Sequence, residues 1–280
     1  CESLDQFGDK LLSGRIDKQV KITSLYFLMN VARAFMFNAQ TKKRSYIVGR
    51  EHYDIGNDLF SLMLDEKMNY SCGYWRKAKN LEQAQINKLD LICRKLHLKP
   101  GMSVLEIGCG WGSFAKYAAE NYGVSVHGVT ISKEQVSYAK KSCEGLDVSF
   151  ELKDYRELNK KYDCIVSIGM FEHVGYKNYR NYMEVVNRCL KDDGLFLLHT
   201  IGRNNPGRAT DPWINKYIFP NGMTPSSSQI CESIEGLFVI EDWHNFGQDY
   251  DATLMAWHEN FQKNFDILTG TYDERFKRMW

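Results

Sequence analysis

The stretch VLEIGCGWGSF, residues 104–114, is the feature that most constrains the fold of this sequence. An apolar run ends in an acid, and three glycines then arrive within five residues. A predicted strand precedes the glycines, and a predicted helix, SFAKYAAENY, follows them. A glycine-rich turn between a strand and a helix lets the backbone approach a ligand and directs helix N–H groups toward it. We therefore expect a ligand-binding turn at the end of the first strand of an α/β sheet.

The segments after this turn alternate between strand and helix patterns. The predicted strands are SVLEI, VSVHGVTI, VSFELKD, YDCIVSIGM, GLFLLHTIG and FVIEDWHNF, and helical patterns such as SKEQVSYAKKSC and YRNYMEVVNRCL lie between them. Strands that alternate with helices of about 10–15 residues predict a parallel, doubly wound, Rossmann-like α/β sheet. The 280 residues, 44% of them hydrophobic, suffice for one large domain with an appendage.

Charge and cysteine usage exclude several classes of protein. A formal net charge of +1 gives no global attraction to nucleic acid or to anionic lipid. The eight cysteines include no CxxC pair and no His/Cys cluster at zinc spacing, so they indicate free thiols in a reducing compartment and no metal site. No apolar run approaches the ~18–20 residues of a membrane span.

The N-terminal part of the chain has a different character. Residues 1–50 are predicted to form a helical extension, and residues 51–280 the main domain. The stretch ITSLYFLMNVARAFMFNAQ carries bulky apolar residues at helical spacing and precedes the basic TKKR. Two interpretations remain open: a helix packed on the core or on a neighbouring segment, and a helix lying on a membrane surface.

The glycine turn does not fit the dinucleotide fingerprint GxGxxG, because the string is GCGWG. The second strand also lacks the terminal acid that holds a nicotinamide ribose, and Thr130 and Gln135 follow instead. The string EIGCGWG after an apolar strand resembles motif I of class I S-adenosylmethionine-dependent methyltransferases. In that family the glycines cradle the methionine part of the cofactor, and the acid at the Glu106 position helps to order the loop and the cofactor's amine.

Further stretches narrow the resemblance to one family. They are REHYDIGNDLFSLML, MNYSCGYW, GMFEHVG, LLHTIG and GQDYDATLMAW, which follow one another along the chain. Together they resemble cyclopropane fatty acid synthases, the enzymes that methylenate cis double bonds in acyl chains. The stretches WINKYIFPNG and DWHNFGQDYD are closer to the bacterial phospholipid-acting synthases than to the mycolic-acid-acting relatives.

The resemblance also implies the arrangement of the sheet. Class I methyltransferases have the strand order 3-2-1-4-5, with the sixth strand outside the fifth. Bacterial relatives carry an N-terminal domain before this region and a final antiparallel strand after the ERFKRM helix. We therefore expect that this chain is truncated at its C-terminus and lacks that strand. Six strands of a seven-strand sheet would remain, with an edge that stays open unless another element covers it.

The resemblance assigns one set of residues to S-adenosylmethionine. The residues expected to contact it are Tyr70, Ser71, Leu105, Glu106, Gly108, Gly110, Trp111, Gly112, Thr130, Gln135, Asp154 and Tyr155. Thr130 and Gln135 are expected to bind the ribose, and Asp154 and Tyr155 to face the adenine. His52 and Tyr53 are expected to help close the site.

A second set follows from the difficulty of the reaction. An alkene is a poor nucleophile, and its attack on a sulfonium methyl leaves a carbocation in an apolar chain, so the site must exclude water and hold a base. The family holds a bicarbonate ion there. By resemblance, its anion cradle consists of Cys72, Glu172, His199, Ile201 (through its backbone) and Tyr250. Glu172 is expected to orient the bicarbonate proton, and His199 and Tyr250 to donate to the bicarbonate oxygens. Backbone N–H groups of Cys72 and Ile201 are expected to complete the cradle.

The resemblance therefore implies cyclopropanation of unsaturated phospholipid in the membrane bilayer. The expected enzyme is a homodimer that lies peripherally on the cytoplasmic face of the bacterial membrane and binds no nucleic acid. One alternative is an N- or O-methyltransferase that acts on a small molecule, since the same scaffold serves many substrates. Another is a non-catalytic lipid- or cofactor-binding module. Each cradle residue also has an ordinary interpretation: Cys72 as packing, Glu172 as a helix-start acid and His199 as a core histidine.

Overall fold

The computed structural model describes residues 4–14, 40, 57–207, 211–268 and 270–280. The chain divides into two compact units, Cys1–Asn38 and Ala39–Trp280. In the first unit the described element is helix α1 (Leu4–Ser13). Along the chain, the division between the units falls between residues 38 and 39. The domain boundary expected at residue 50 stays a prediction. His52, Tyr53 and residues 22–39 of the apolar N-terminal stretch lie outside the described residues.

A five-stranded sheet forms the centre of the second unit. Its strands are β1 (Ser103–Ile107), β2 (Ser125–Thr130), β3 (Val148–Leu152), β4 (Tyr162–Ile168) and β5 (Leu190–His199). All neighbouring pairs are parallel, and the order is β3-β2-β1-β4-β5. This order confirms the predicted class I methyltransferase sheet. The order reverses between β1 and β4, so a ligand is expected beyond the C-terminal ends of these strands.

Helices surround this sheet, and several of them begin at a residue whose side chain caps the first turn. They are α2 (Asn57–Met63), α3 (Leu81–Lys95), α4 (Ser113–Tyr122), α5 (Lys133–Ser142), α6 (Tyr179–Cys189), α7 (Pro212–Tyr217), α8 (Ser227–Ile234), α9 (Asp249–Asn264) and α10 (Glu274–Met279). The side chains of Asn80 and Ser132 accept backbone N–H groups at the starts of α3 and α5, which is the usual role of an N-cap.

Strand residues alternate between two cores. Val104 and Val166 face the core beneath α3, α4 and α5, whereas Leu105 and Ile165 face the core beneath α6. Strands that are apolar on both faces are typical of a parallel sheet covered by helices on both sides. This double covering leaves the ends of the strands as the place for polar function.

The predicted sixth strand at residues 238–246 is wrong. The structure gives this segment no strand, and β5 forms the edge of the sheet. A groove with residues 195–199 on one side and residues 237–247 on the other runs between the segment and β5. Extended backbone becomes a strand only where a neighbour supplies ladder hydrogen bonds, so the apolar pattern FVIEDWHNF was not sufficient. The sheet therefore has five strands instead of the six predicted.

Two further observations on the described residues concern membrane-spanning helices and the state of the cysteines. No helix among them combines the length and the apolar composition that a membrane crossing requires. The described cysteines are free thiols, and all but Cys231 are buried; they are Cys72, Cys93, Cys109, Cys143, Cys164, Cys189 and Cys231.

Asp163, near the start of β4, ties three strands together. Its Oδ1 accepts a hydrogen bond from Lys191 Nζ on β5 at 2.7 Å. Its Oδ2 accepts hydrogen bonds from Ser103 N and Oγ on β1, at 2.9 and 2.6 Å. The lysine and the serine donors hold the pKa of this carboxyl well below its usual range.

We predict that Asp163→Asn destabilises the protein in a pH-dependent way. A depressed carboxyl pKa contributes stability above the unfolded value of about 3.9, and that contribution is lost as the pH falls through the folded value. At pH 7 the free energy of unfolding should drop by about 1.5–3 kcal/mol, the range for hydrogen bonds to a charged group. Urea unfolding should show the difference narrowing below about pH 4. The control is Asp192→Asn, an exposed partner of Lys161. A difference that stays constant down to pH 3 would contradict the assignment.

Candidate active site

A cavity of about 160 Å³, here the cofactor cavity, lies beyond the C-terminal ends of the strands. The segments that follow β1, β2, β3 and β4 all contribute to its lining. Ten of the twelve residues predicted to contact S-adenosylmethionine line it: Tyr70, Ser71, Glu106, Gly108, Gly110, Trp111, Thr130, Gln135, Asp154 and Tyr155. The structure therefore brings together residues from four separate segments of the sequence.

Two predicted contact residues, Leu105 and Gly112, do not line this cavity. Leu105 is fully buried in the core beneath α6, because strand alternation turns it away from the cavity. Gly112 precedes α4 with a φ of 88°, and a Cβ there would lie 3.0 Å from both Ala139 and Phe150. Its glycine is therefore explained by backbone conformation and helix packing.

The other two glycines of the turn have different physical roles. Gly108 has a φ of 82°, and a Cβ there would lie 2.6 Å from Met170 Cβ, so it permits close approach of the segment after β4. Gly110 has a φ of 51°, and a Cβ there would meet no atom within 4 Å. Because Gly110 lines the cofactor cavity, that open space is available to a ligand.

Glu106 gives this cavity an acceptor without a partner. The side chain is 3% exposed, and the Ala115 backbone N–H bonds to its carboxyl. Oε2 is buried and has no hydrogen-bond partner among the described residues. Burial raises the pKa of this carboxyl, which opposes its ionisation. An orphaned carboxyl oxygen on a cavity wall fits a ligand with an ammonium group, as S-adenosylmethionine has.

Elsewhere in the cofactor cavity, polar side chains form hydrogen bonds with one another. Thr130 Oγ1 donates to Gln135 Oε1 at 2.7 Å. Arg156 donates to both carboxylate oxygens of the buried Asp154, from Nε at 2.7 Å and from NH2 at 2.9 Å. Asp154 therefore lines the cavity while bonded to Arg156, which the sequence analysis missed. The only signal in the sequence was its place two residues after Asp154.

A second cavity, here the edge cavity, has a volume of about 1560 Å³ and runs along the open edge of β5. All five residues of the predicted anion cradle line it: Cys72, Glu172, His199, Ile201 and Tyr250. They come from the segment before α3, from the segment after β4, from the end of β5 and beyond it, and from α9. The fold therefore gathers the whole predicted set in one place.

The Glu172 carboxyl is held by the Ile201 backbone. Ile201 N donates to Glu172 Oε1 at 2.7 Å, while Oε2 is buried and has no partner among the described residues. The prediction gave this N–H to a bound anion, whereas the structure uses it to orient the acid. His199 Nδ1 is a second buried polar atom without a partner in the described chain. Both orphaned atoms are available to a ligand in the edge cavity.

Three of the cradle side chains, those of Cys72, His199 and Tyr250, carry no charge at pH 7. Burial raises the pKa of the Cys72 thiol to about 11 and lowers the pKa of His199 to about 3. Burial also raises the pKa of Tyr250 and of Glu172. A protonated thiol, a protonated phenol and an imidazole of low basicity are poor proton acceptors. They are suited instead to forming hydrogen bonds in a site that excludes water.

Two helices fix the NYSCGYW segment, residues 69–75. From α3, Gln85 Nε2 donates to Ser71 O at 2.9 Å, and Lys88 Nζ donates to Ser71 Oγ at 3.0 Å. The sequence analysis missed both residues. The signal was available, since Gln85 and Lys88 interrupt the buried stripe that Leu81 and Leu89 define on this helix.

The second anchor comes from α9. Thr253 Oγ1 accepts hydrogen bonds from Gly73 N at 3.1 Å and from Trp75 Nε1 at 2.8 Å. Asp249 Oδ2 accepts a bond from Trp75 N at 2.7 Å. Because Tyr250 lies between these two anchors on the same helix, the same bonds fix Tyr250 relative to Cys72.

Phe246 was also missed in the sequence analysis. It stacks on the His199 ring with centroids 5.3 Å apart and planes 14° apart. Tyr74 contacts Phe246 edge-on at 5.6 Å. The segment predicted as a sixth strand therefore supplies an aromatic cover for the cradle.

Comparison with known proteins agrees with this geometry. The family model described as mycolic acid cyclopropane synthetase matches residues 40–280. The chain is 58% identical over all of its 280 residues to the cyclopropane-fatty-acyl-phospholipid synthase of Escherichia coli (strain K12), of which it covers 73%. The chain belongs to the mycolic acid cyclopropane synthetase family.

Solved structures of this family have the same fold. The cyclopropane synthase MmaA2 from Mycobacterium tuberculosis superposes with a TM-score of 0.78 at 32% identity, covering 84% of this chain and 89% of that one. The mycolic acid cyclopropane synthase CmaA1 complexed with SAH and CTAB gives the same values. The chain is 37% identical over 250 residues to cyclopropane mycolic acid synthase 3 of Mycobacterium tuberculosis, covering 81% of this chain and 87% of that protein. The predicted closeness to the phospholipid-acting branch is thus confirmed, and the chain is an enzyme of the S-adenosylmethionine-dependent methyltransferase class.

We predict that Gly110→Ala weakens binding of S-adenosylhomocysteine by about tenfold or more, equal to about 1.4 kcal/mol. The added methyl group would occupy the open space in the cofactor cavity. The control is Gly145→Ala, because Gly145 also has a positive φ, 83°, with open space around it, and lies outside that cavity. Calorimetric titration measures both variants. Equal weakening in the two would mean that backbone strain, and not filled space, is responsible.

Proposed function

We propose that this protein transfers a methylene group from S-adenosylmethionine to the cis double bond of unsaturated phospholipid acyl chains, with a bound bicarbonate as the base. The observation that carries the proposal is the meeting of the two cavities. Among the described residues, those that line both are Tyr70, Ser71, Lys88, Gly169 and His173. A methyl donor in the cofactor cavity and an acceptor in the edge cavity would react across this boundary.

The cofactor cavity supports the first half of the proposal. Glu106, with its orphaned Oε2, would bind the cofactor's amine, and the open space at Gly110 would take the methionine part. Thr130 and Gln135, already bonded to each other, would present their remaining polar groups to the ribose. Tyr155, buried beside Asp154, would pack against the adenine.

The edge cavity supports an apolar acceptor. Away from the cradle, apolar side chains dominate the lining, among them Leu198, Ile214, Phe219, Met223 and Ile230. An acyl chain buries apolar area at about 25 cal/mol per Å², which favours such a wall over water.

The chemistry explains why the Cys72, His199 and Tyr250 side chains of the cradle are uncharged. When bound, S-adenosylmethionine supplies an electrophilic methyl group, and bicarbonate supplies a proton acceptor. The double bond donates its electron pair to the methyl carbon, and the sulfur leaves with the electrons of its bond. A cation then remains on the chain, and loss of a methyl proton closes the ring. Since the Cys72 thiol and the Tyr250 phenol stay protonated, neither would take that proton or trap the cation.

Glu172 and His199 have the central roles in this scheme. Glu172, held by the Ile201 N–H, would use Oε2 to orient the bicarbonate proton. His199, fixed by stacking on Phe246, would donate to a bicarbonate oxygen. Cys72 and Tyr250 would complete the cradle, because α9 holds both in position. The homodimer and the location on the membrane surface stay predictions.

We predict that Glu172→Gln lowers turnover by roughly 10²–10⁴, the range for a lost group in acid–base catalysis. Binding of S-adenosylhomocysteine should remain unchanged, because Glu172 lines the edge cavity and not the cofactor cavity. Turnover and calorimetric titration measure the two quantities separately. The control is Glu134→Gln on the exposed face of α5. Loss of cofactor binding in the Glu172 variant would contradict its assigned role.

The proposal as a whole is tested with vesicles of a monounsaturated phospholipid. The protein is incubated with methyl-labelled S-adenosylmethionine in buffer depleted of carbon dioxide, with and without added bicarbonate, and the acyl chains are analysed by mass. We expect one labelled methylene group per reacted chain and a higher rate with bicarbonate. Label in the lipid without any response to bicarbonate would leave Glu172 as the base. An unlabelled lipid, with the cofactor still bound, would point to a small-molecule N- or O-methyltransferase.

A further inference from the structure

Lys88 lies at the boundary between the cofactor cavity and the edge cavity. It is one of the residues that line both, and its side chain is only 2% exposed. Among the buried side chains of the described chain it is the only lysine or arginine. His173 shares the boundary, but burial lowers its pKa to about 4, so it carries no charge at pH 7. Lys88 is therefore the positive charge at the place where the proposed reaction occurs.

The hydrogen bonds of Lys88 leave one donor available. Nζ donates to Asn69 Oδ1 at 2.9 Å and to Ser71 Oγ at 3.0 Å. An ammonium group has three donors, and the described residues provide no acceptor for the third. No hydrogen bond joins it to Asp65, whose carboxylate accepts three N–H groups from Lys67 and Asn69.

The charges around Lys88 make an anion costly without it. Asp65 and Glu106 are buried carboxyl groups whose fields act on Lys88. The Cys72, His199 and Tyr250 side chains of the cradle carry no charge at pH 7. Lys88 is the only buried lysine or arginine among the described residues, whereas the other lysines and arginines that line the edge cavity are more exposed. Burying an unpaired anion is expensive, whereas pairing it with a nearby cation removes most of the cost.

Burial and the nearby acids act on the Lys88 ammonium in opposite directions. Burial lowers its pKa to about 8, against the raising effect of Asp65, Cys72 and Glu106. The ammonium form therefore still predominates at pH 7, and the field of Lys88 reaches both Cys72 and His199 in the cradle.

We propose that Lys88 supplies the counter-charge for the anion in the cradle, and so acts as a positioning residue for the base. This inference rests on the proposed function, because it concerns the same bicarbonate. Lys88 also fixes Ser71, which adjoins Cys72, so its charge and its hydrogen bonds have to be separated by experiment.

Two substitutions separate the effect of the Lys88 charge from that of the hydrogen bonds to Ser71. Lys88→Gln removes the charge and keeps an N–H donor toward Asn69 and Ser71. Gln85→Leu removes the bond from α3 to Ser71 O and leaves the charge in place. For each protein we would measure the bicarbonate concentration for half-maximal activity, and the shifts of the unfolding temperature caused by bicarbonate and by S-adenosylhomocysteine. If Lys88→Gln does not fold, Lys88→Arg, which keeps the charge, should retain the bicarbonate response.

In Lys88→Gln the half-maximal bicarbonate concentration should rise about 30-fold or more, the lower end for losing one partner of a buried charge pair. The bicarbonate-induced shift of the unfolding temperature should vanish, while the S-adenosylhomocysteine shift persists. Gln85→Leu should weaken both responses to a similar extent, because it loosens Ser71, which lines both cavities, and leaves the charge in place. Equal losses in Lys88→Gln and Gln85→Leu, or loss of the bicarbonate response in Lys88→Arg, would overturn the counter-charge role.

Two other results would also overturn it, and each points elsewhere. If Lys88→Gln loses its response to S-adenosylhomocysteine but keeps its response to bicarbonate, Lys88 belongs to the cofactor site alone. If the unsubstituted protein shows no bicarbonate effect on either activity or unfolding, the proposed base itself fails, and the counter-charge role fails with it.

Discussion

The hydrogen bonds that clamp the NYSCGYW segment between α3 and α9 determine the geometry of both cavities. From one side, Lys88 and Gln85 hold Ser71; from the other, Thr253 holds Gly73 and Trp75. Ser71 lines both cavities, and the adjacent Cys72 belongs to the cradle. The segment has no regular secondary structure, so without these buried side-chain bonds it would lack a fixed position. The boundary across which a methyl group would pass therefore depends on hydrogen bonds from two helices, α3 and α9.

Electrostatics divides the site into two parts with different chemistry. The cofactor side contains an acid with a free oxygen, Glu106, which suits a cationic ligand. The cradle side contains groups that burial keeps uncharged, namely Cys72, His199 and Tyr250. A cation that forms on an acyl chain survives only where no nucleophile and no water can reach it. Such a site therefore favours a small bound base over an ionised side chain, and Lys88 is the described residue placed to balance its charge.

The sequence indicated the parts of this structure that follow from local patterns. Apolar strands with helices between them predicted a parallel α/β sheet, and the glycine turn predicted a ligand-binding turn after β1. The family resemblance supplied the strand order. The prediction of a strand at residues 238–246 was wrong, because strand pairing depends on a neighbouring strand that a local pattern cannot reveal. The resemblance also assigned Leu105 to the cofactor, because a motif does not show which residues of a strand point away from the cavity. Lys88 and Thr253 were missed because their roles come from contacts distant in sequence, although a lysine in the buried stripe of α3 was a visible anomaly.

The proposed reaction is tested most directly by the fate of the methyl hydrogens. S-adenosylmethionine with a fully deuterated methyl group would be supplied with monounsaturated phospholipid vesicles and bicarbonate, and the product chains analysed by mass. If a base at the cradle removes a methyl proton and the ring closes, two of the three deuterium atoms remain on the added carbon. Retention of all three would show that the methyl group is transferred intact, which would contradict cyclopropanation and leave the cradle without its proposed role.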